Sequence, residues 1–270
     1  MQQIKIAILD MYKGAPNQGM RNIHQILENY SLENNIEIYK KVYDVREKHE
    51  IPDLAYDAYI STGGPGSPVE NEGWEEAYMS FIHALILYNE TTVHKKFLFL
   101  ICHSFQVFCY QFKLARVCLR QSESFGIFPV HKTYQGAYNT ITHKLQEPFY
   151  AVDSRKWQVI QPDAHALRTM GAKILAIEKE RIHVPHERAT MAIQFTQEII
   201  GTQFHPEADA QGMIFYLNGE EKKNVVIENY GIEKYNSFLS QLHEPGKISH
   251  TQKIILPSFV DEVVKMLNIN

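Results

Sequence analysis

The feature that most constrains the fold is a repeated change from strand-like to helix-like periodicity. Short apolar runs, each long enough for one buried strand, are followed by segments with apolar residues at helical spacing. Three such runs are residues 4–9, 58–61 and 97–101. This alternation predicts an α/β fold in which a mostly parallel central sheet carries helices on both faces.

The second half of the chain is richer in short strand-like segments, and its end is richer in helix-like ones. The pattern predicts further strands at residues 36–45, 126–130, 157–160, 174–177, 190–195 and 199–204. It predicts helices around residues 23–27, 74–87, 104–112, 234–242 and 257–267. The polar stretch NGEEKKN follows the last strand and is interpreted as a break. We therefore predict two parts, a domain over residues 1–210 and a helical C-terminal extension over residues 211–270.

The composition narrows the class of partner and the compartment. Hydrophobic residues make up 44% of the chain, and the formal net charge is −4, which favours neither a nucleic acid nor a membrane surface as a partner. No apolar run is long enough to cross a bilayer, and the first residues, MQQIKIAILD, lack the pattern of a signal peptide. The three cysteines do not form a disulfide framework. These features predict a cytoplasmic protein.

One cysteine lies where a strand changes into a helix. In the stretch FLFLICHSFQVF, Cys102 follows the apolar strand and precedes the helical pattern. A thiol at the N-terminus of a helix is exposed to the helix dipole and to free N–H groups, which lower its pKa and make it a better nucleophile. Taken alone, the pattern also fits a small buried side chain, which is the usual role of a free cysteine.

A nucleophilic cysteine needs a general base, and the base needs an orienting partner. His205 and Glu207 come directly after an apolar strand in QFHPE, and alternate residues of an extended segment point the same way. The alternative is an ordinary turn at a strand end. His183 and His186 in HVPHER could be read as a metal pair, but the pair alone is a weak signal, and we expect no metal site.

A glycine-rich loop, TGGPGSP, follows the strand at residues 58–61. Such a loop could present backbone N–H groups to a developing negative charge, since no side chain stands in the way. A plain turn is the alternative, because glycine and proline are common in turns. The chain has neither of the glycine-rich phosphate-binding motifs, G-x-x-x-x-G-K-[ST] or G-x-G-x-x-G, and we expect no cofactor.

In this order, the three motifs resemble the class I glutamine amidotransferases, the glutaminase family with a Cys-His-Glu triad. The glutaminase part of GMP synthase and the small subunit of carbamoyl phosphate synthetase are members. The resemblance covers about residues 1–210 and is most specific at GTQFHPE, residues 201–207. It includes GIFPV at residues 126–130, which is similar to the family's Gly-Trp-x-Pro-Val. It implies a three-layer, flavodoxin-like fold.

The resemblance also implies a role for each matching residue of the triad. Cys102 would attack the side-chain amide carbon of glutamine, His205 would take and return the proton, and Glu207 would orient His205. Ammonia would leave first, and water would then hydrolyse a glutamyl thioester on Cys102.

Four further residues match positions of the family that surround the substrate. The resemblance implies that the backbone N–H groups of Gly64 and His103 form the oxyanion hole. It implies that Gly66 and Gln106 hold the amino-acid end of the substrate. The side chain of His103 is not expected to be the base.

The residues beside the nucleophile depart from the family's Gly-x-Cys-x-Gly. Leu100 and Ser104 stand at the two glycine positions. Because the sharp turn favours small neighbours, the bulk of Leu100 predicts local repacking.

Several functions remain open at this stage. The predicted extension is too short for an ATP-using synthase domain, so a separate synthase would accept the ammonia, or the enzyme would act alone on glutamine or another γ-glutamyl amide. An enzyme like the homoserine acyltransferases and a non-catalytic sensor or regulatory relative are the alternatives. A homo-oligomer also remains open.

Overall fold

A computed structural model describes residues 3–15, 17–182, 184 and 187–268. Within these residues, nine strands form one sheet. The strands are β1 Gln3–Asp10, β2 Glu37–Asp44, β3 Ala58–Ser61, β4 Phe97–Ile101, β5 Ala115–Lys132, β6 Phe149–Pro162, β7 Lys173–Glu178, β8 Thr190–Gln194 and β9 Ile199–Thr202.

Helices connect the strands and form the last part of the described chain. They are α1 Gly19–Asn34, α2 Glu75–Thr91, α3 His103–Gln111, α4 Tyr134–Ala137, α5 Ala164–Met170, α6 Ala210–Asn218, α7 Glu220–Tyr230, α8 Ile232–Leu242 and α9 Ser249–Asn268.

The sheet has a parallel side and an antiparallel side. Its order is β2-β1-β3-β4-β9-β8-β7-β5-β6. The five strands from β2 to β9 pair in parallel, whereas β9, β8, β7, β5 and β6 pair in antiparallel fashion. The predicted α/β fold class is confirmed. Because β3, β4 and β9 are parallel neighbours, their carboxyl ends meet at one edge of the sheet.

Helices cover both faces of the sheet. Alternate residues of β1 explain this, since Ile6 and Ile8 pack against α1 and α9, while Ala7 and Leu9 pack against α2 and α3. All four side chains are fully buried. Burial of one such aliphatic side chain typically contributes about 1.5–3 kcal/mol, so the two faces together hold the sheet between two helical layers.

The antiparallel side is built around a long hairpin of β5 and β6. The sequence predicts only short strands at residues 126–130 and 157–160, whereas the two strands extend over 18 and 14 residues. Within β5, polar residues and a register shift lie between Leu119 and Ser124. This irregularity interrupts the alternation from which a strand is predicted, which explains the short prediction.

Two predictions for the last part of the chain are wrong in detail, whereas the helix predicted over residues 234–242 is confirmed as α8. NGEEKKN is not a break but the junction between α6 and α7. The last helix begins at Ser249, and Pro257, where the pattern predicts its start, lies inside it. Proline is favoured at the first turn of a helix, which explains the error.

The C-terminal helices share buried clusters with the sheet. On α9, Phe259 packs edge-on against Phe97 and Phe99 of β4, and Asp261 accepts a hydrogen bond from Tyr30 of α1 at 2.7 Å. Helices α6, α7 and α8 form a third buried cluster with the hairpin of β5 and β6. A division of the chain between residues 210 and 211 stays a prediction.

Candidate active site

Three loops meet at the carboxyl ends of three adjacent parallel strands. The glycine-rich loop follows β3, Cys102 follows β4, and the segment with His205 follows β9. Their spatial proximity is therefore a consequence of the strand order β3-β4-β9 and not of proximity in the sequence.

Cys102 adopts a strained backbone conformation at the turn. Its φ is 48° and its ψ is −95°, outside the regions that non-glycine residues prefer, at a cost of about 1–3 kcal/mol. Two backbone hydrogen bonds hold the turn, from Cys102 N to Thr202 O at 2.7 Å and from Gln106 N to Cys102 O at 2.9 Å. The sulfur lies 4.0 Å from the carbonyl oxygen of Ser154 and 3.8 Å from Gln203 Nε2.

The bulk of Leu100 is accommodated by the neighbouring strand. Leu100 is paired with Gly201 of β9 and is fully buried. A Cβ atom added to Gly201 would lie 3.1 Å from Leu100 Cβ and 2.7 Å from Phe105 Cδ2. Because Gly201 on β9 has no side chain, the side chain of Leu100 on β4 has room to pack there.

Ser104 ties the turn to the glycine-rich loop. Its hydroxyl accepts a hydrogen bond from Ile101 N at 2.9 Å and donates to Ser61 O at 2.8 Å. Ser61 is the last residue of β3, directly before the loop. A hydroxyl at this position therefore links the strand that carries the thiol to the strand that carries the loop.

His205 and Glu207 form a pair beside Cys102, in which Glu207 is buried and His205 is partly buried. Nδ1 of His205 lies 2.8 Å from Glu207 Oε1. His205 N donates to Val152 O at 2.9 Å, and Gln252 of α9 donates to the carbonyl of Glu207 at 3.4 Å, so both residues are held by other elements. Burial lowers the pKa of His205, but the Glu207 carboxylate and the neighbouring Cys102 outweigh it, and the pKa lies well above its usual value.

The glycine-rich loop passes so close to the site that side chains would not fit. A Cβ atom on Gly63 would lie 2.8 Å from His205 Cε1, and one on Gly64 would lie 2.1 Å from the carbonyl oxygen of Met11. Within the described part of the chain, no carbonyl accepts the N–H of Gly64 or that of His103. Both N–H groups, which the resemblance places in the oxyanion hole, are therefore unused by the backbone of the described residues.

The side chain of His103 points to a different environment from that of His205. Burial, reinforced by the Arg46 guanidinium, lowers the pKa of His103 to about 3. Its ring lies 6.1 Å from that of Trp74. The imidazole of His103 is therefore neutral at pH 7, and it packs near the indole of Trp74.

Arg46 holds the glycine-rich loop in place through hydrogen bonds. The sequence does not single this residue out. Its Nη1 donates to Met11 O at 3.1 Å and to Pro65 O, and its Nη2 donates to Glu72 at 2.8 Å. The hydrogen bond from Arg46 is the main reason that the pKa of Glu72 falls to about 2. Arg46 lies in a polar segment between elements, where an arginine carries no pattern that distinguishes it from a surface residue.

Cys102 lies in the wall between two cavities. The first cavity, of about 390 Å³, is lined by Gly66 and Gln106 together with Trp157 of β6 and Tyr230 of α7. Both residues that the resemblance assigns to substrate binding therefore face the same cavity as the thiol. Two of the lining residues are joined by a hydrogen bond, which Gln106 Nε2 donates to Trp157 O at 3.4 Å.

The second cavity, of about 310 Å³, lies on the side of His205 and Glu207. Tyr12, Asn22 and Met213 contribute to its wall. The sequence does not single out these residues or Ser154, because they come from loops, from α1 and α6, and from the antiparallel hairpin. Only their placement in the fold relates them to the cysteine.

The described residues hold no group of histidine, cysteine or acidic side chains that could bind a metal ion. The weak metal signal at His183 and His186 lies outside the described residues. Across the same described part of the chain, no helix is long and apolar enough to cross a membrane.

Comparison with known proteins identifies the family. The sequence model described as "Glutamine amidotransferase class-I" matches residues 8–213. A search of the curated proteins finds no match.

Solved structures show the same fold at low sequence identity. A glutamine amidotransferase from Thermotoga maritima is 17% identical with a TM-score of 0.66, covering 97% of this chain and 98% of that one. A candidate GMP synthase component from Thermoplasma acidophilum is 13% identical with a TM-score of 0.61, covering 100% and 98%. The glutaminase domain of Trypanosoma brucei CTPS, solved with bound acivicin, is 15% identical with a TM-score of 0.57, covering 76% and 86%.

The family match spans more than half of the chain, includes all three motifs, and agrees with the fold of these structures. The chain belongs to the class I glutamine amidotransferases.

Proposed function

We propose that the protein hydrolyses the side-chain amide of glutamine or a related γ-glutamyl amide through a thioester on Cys102. The main support is the placement of a cysteine on a strained strand–helix turn beside His205, which is paired with the buried Glu207. A thiol, an imidazole and a buried carboxylate in this order can serve as the nucleophile, the base and the orienting group that acyl transfer requires.

In the first step, the sulfur of Cys102 attacks the γ-carbonyl carbon of the substrate. The C–S bond forms first and places negative charge on the carbonyl oxygen, and the C–N bond then breaks as His205 delivers the thiol proton to the leaving nitrogen. Glu207 keeps the Nδ1 proton of His205 in place, so that the other ring nitrogen serves the reaction. The raised pKa of His205 favours the protonated imidazole that this delivery needs.

Hydrogen-bond donors must stabilise the negative charge that develops on the carbonyl oxygen during the attack. The N–H groups of Gly64 and His103 supply them in this proposal, since neither is used by a carbonyl of the described chain. One donor of this kind is typically worth about 10²–10³ in rate. Arg46 fixes the loop that carries Gly64, so we assign it a positioning role.

In the second step, water attacks the thioester and His205 accepts its proton. The glutamate product leaves the cavity lined by Gly66 and Gln106, which in this proposal hold the amino-acid end of the substrate. The ammonia passes to a separate synthase, or the enzyme releases it as a hydrolase acting alone. The three cysteines are free thiols, which suits a reducing compartment such as the cytoplasm.

The test is the release of ammonia and glutamate from glutamine by the purified protein. Cys102→Ala is expected to abolish the release, whereas Cys109→Ala, which changes a buried cysteine of the following helix, is expected to retain it. Equal activity of wild type and Cys102→Ala would contradict the proposal.

If the wild type releases no ammonia, the protein is incubated with a glutamine analogue that carries an electrophilic carbon. A covalent adduct on Cys102 would support a competent nucleophile that requires a partner or another amide. Absence of both turnover and adduct would refute the proposal in favour of a binding protein.

A further inference from the structure

The first cavity is lined by charged side chains that the proposed function does not use. Among its described lining residues, three carry a charge, namely Glu123, Arg155 and Lys156. Gly66 and Gln106, which the proposed function assigns to the amino-acid end of the substrate, are uncharged. Glutamine carries an ammonium group and a carboxylate on its α carbon at neutral pH, so uncharged partners alone leave both charges without a counterion.

Arg155 does not serve a ligand, because it is buried in an ion-pair network of the protein. Its Nε donates to Asp153 at 2.8 Å, and its Nη2 donates to Glu178 at 3.3 Å. Only 1% of its side chain is exposed. One anion and one cation, Glu123 and Lys156, therefore remain to face the cavity.

An irregularity of the hairpin brings Glu123 and Lys156 together. The strands β5 and β6 lose register between Leu119 and Ser124. Residues 120–123 of β5 therefore lie opposite Lys156 of β6 alone. A bulge of this kind bends its strand and redirects the side chains within it, and bulges are frequent beside active sites. The result is an ion pair with 2.8 Å between Glu123 Oε1 and Lys156 Nζ.

Lys156 lies one strand repeat away from the residue beside the thiol. The carbonyl oxygen of Ser154 is 4.0 Å from Cys102 Sγ. Residues 154 and 156 share a face of β6 and are about 7 Å apart along the strand. Both are exposed, whereas Arg155 between them is buried. This spacing suits a substrate in which two methylene groups separate the reacting carboxamide from the α carbon.

A helix outside the family match holds Glu123 in place. Tyr230 of α7 lies beyond the matched residues 8–213 and donates a hydrogen bond to Glu123 Oε2. The hydrogen bonds from Lys156 and Tyr230 lower the pKa of Glu123, so its carboxylate is ionised at neutral pH. The exposed fractions of the Lys156 and Glu123 side chains are 69% and 39%. Because such exposed ion pairs contribute little to stability, a ligand can separate this one at low cost.

We propose that Glu123 binds the α-ammonium group of the substrate and Lys156 its α-carboxylate, so that the enzyme selects amides with a free amino-acid end. This inference rests on the proposed function. Both charges of an amino acid lie on one carbon, so they can align against the adjacent Glu123 and Lys156 with opposite charges facing each other. Gly66 and Gln106 add hydrogen bonds, and Tyr230 is a positioning residue for Glu123.

The experiment compares kcat/KM for glutamine and for two truncated amides. Glutaramic acid lacks the α-amino group of glutamine, and 4-aminobutanamide lacks its α-carboxylate. Neither compound adds bulk that the cavity would have to accommodate. Because a hydrogen bond to a charged group is worth about 10- to 100-fold in binding, each truncated amide is expected to fall at least tenfold below glutamine.

Two variants assign each charge to one residue. Glu123→Gln is expected to lower kcat/KM for glutamine about 10- to 100-fold and to leave the value for glutaramic acid equal or higher, since that compound has no ammonium group. Lys156→Gln is expected to lower the value for glutamine similarly and to leave that for 4-aminobutanamide equal or higher. A merely structural role would lower the values for all three amides alike.

The matched control is Lys265→Gln. This variant breaks an ion pair of α9, with 2.6 Å between Lys265 Nζ and Glu262 Oε1, and neither residue lines the two cavities. It is expected to leave all three kcat/KM values unchanged.

A binding measurement gives the same comparison without turnover. Cys102 is alkylated with an electrophilic glutamine analogue, and the protection given by glutamine and by each truncated amide is measured in the wild type and in the variants. Glu123→Gln is expected to weaken protection by glutamine but not by glutaramic acid, and Lys156→Gln to weaken protection by glutamine but not by 4-aminobutanamide. If the protein forms the adduct without turnover, this pattern decides the inference.

Equal kcat/KM values for the three amides, or an equal loss for all three in Glu123→Gln and Lys156→Gln, would overturn the inference and leave the proposed function intact. Absence of turnover together with an unreactive Cys102 would refute the proposed function and this inference with it.

Discussion

The parallel and antiparallel sides of the sheet contribute different parts of the candidate site. The parallel side carries the cysteine turn, the glycine-rich loop and the segment with His205 at the ends of β3, β4 and β9. The antiparallel side carries Ser154 and Trp157, which with the C-terminal helices form the walls of the two cavities. In the proposed reaction, the first side supplies the reacting groups, and the second side supplies walls of the cavities that would hold the substrate.

The same division appears in the contacts that hold each region. On the parallel side, short backbone and hydroxyl hydrogen bonds fix the atoms around Cys102 and Ser104. On the other side, a buried ion-pair network joins Arg155 to Asp153 and Glu178, and Phe125 stacks on Tyr230 at 5.1 Å between ring centroids. Changes on the parallel side are therefore expected to affect kcat, and changes on the antiparallel side KM.

The largest effect is expected from Glu207→Gln, which removes the carboxylate that orients His205. We expect kcat/KM to fall about 10²- to 10⁴-fold, since both the orientation of the base and the charge that stabilises its proton are lost. The pKa of His205 is raised by Glu207, so it falls in the variant, and His205 loses its proton at a lower pH. The alkaline limb of the kcat/KM profile is therefore expected to move to lower pH.

The matched control for this variant is Glu147→Gln. Glu147 Oε1 lies 2.8 Å from His131 Nδ1 in an exposed pair that lines neither of the two cavities. An unchanged pH profile in Glu207→Gln, or an equal change in Glu147→Gln, would contradict the assignment of Glu207 as the residue that orients His205.

The next largest effect is expected from Gly63→Ala. The added Cβ atom would lie 2.8 Å from His205 Cε1, so the imidazole must move. A displacement of about 1 Å can cost about 10²-fold in rate, and we expect a loss of this size in kcat. Gly219→Ala is the control, because its φ is −62° and the nearest atom to an added Cβ lies at 3.6 Å. Equal kcat values for the two variants would refute this role of Gly63.

A smaller effect, on stability, is expected from Ser104→Ala. The variant leaves Ile101 N and Ser61 O without the hydroxyl that joins them, and an unpaired buried group costs about 1–3 kcal/mol. Denaturant unfolding should show a loss of this size. Ser240→Ala, on the exposed face of α8, is expected to change the free energy of unfolding by less than about 0.5 kcal/mol. Equal changes in the free energy of unfolding for the two variants would show that Ser104 does not stabilise the turn.

The smallest effect is expected from Tyr230→Phe on the antiparallel side. The variant loses the hydrogen bond to Glu123 but keeps the ring that stacks on Phe125. A single hydrogen bond contributes about 0.5–1.5 kcal/mol, so steady-state kinetics should show KM raised about two- to twelvefold and kcat nearly unchanged. A loss in kcat larger than the change in KM would contradict the expectation that changes on the antiparallel side affect mainly KM.

The sequence predicts the parallel side well because its signals are local. Apolar runs of strand length are followed by helical spacing, and Cys102 lies at the change of period. The motif with His205 and Glu207 is contiguous, so the pair is visible before the fold is known. The structure places them together because β4 and β9 are neighbours.

The sequence does not predict the second cavity because its residues depend on long-range contacts. Asn22 lies on a helix and Met213 on another, and neither has a pattern that separates it from a core residue. Arg46 is similar, since its role follows from the carbonyls of Met11 and Pro65 that the fold brings to it. The compensation of Leu100 by Gly201 also follows only from the register of β4 with β9.

Alkylation of the wild-type protein by an electrophilic glutamine analogue, followed by intact mass and peptide mapping, tests whether Cys102 is the nucleophile. We expect one adduct, on Cys102, formed more slowly in the presence of glutamine and absent in Cys102→Ala. An adduct on Cys109 or Cys118 instead, or a rate that glutamine does not change, would contradict the assignment of Cys102 and its cavity.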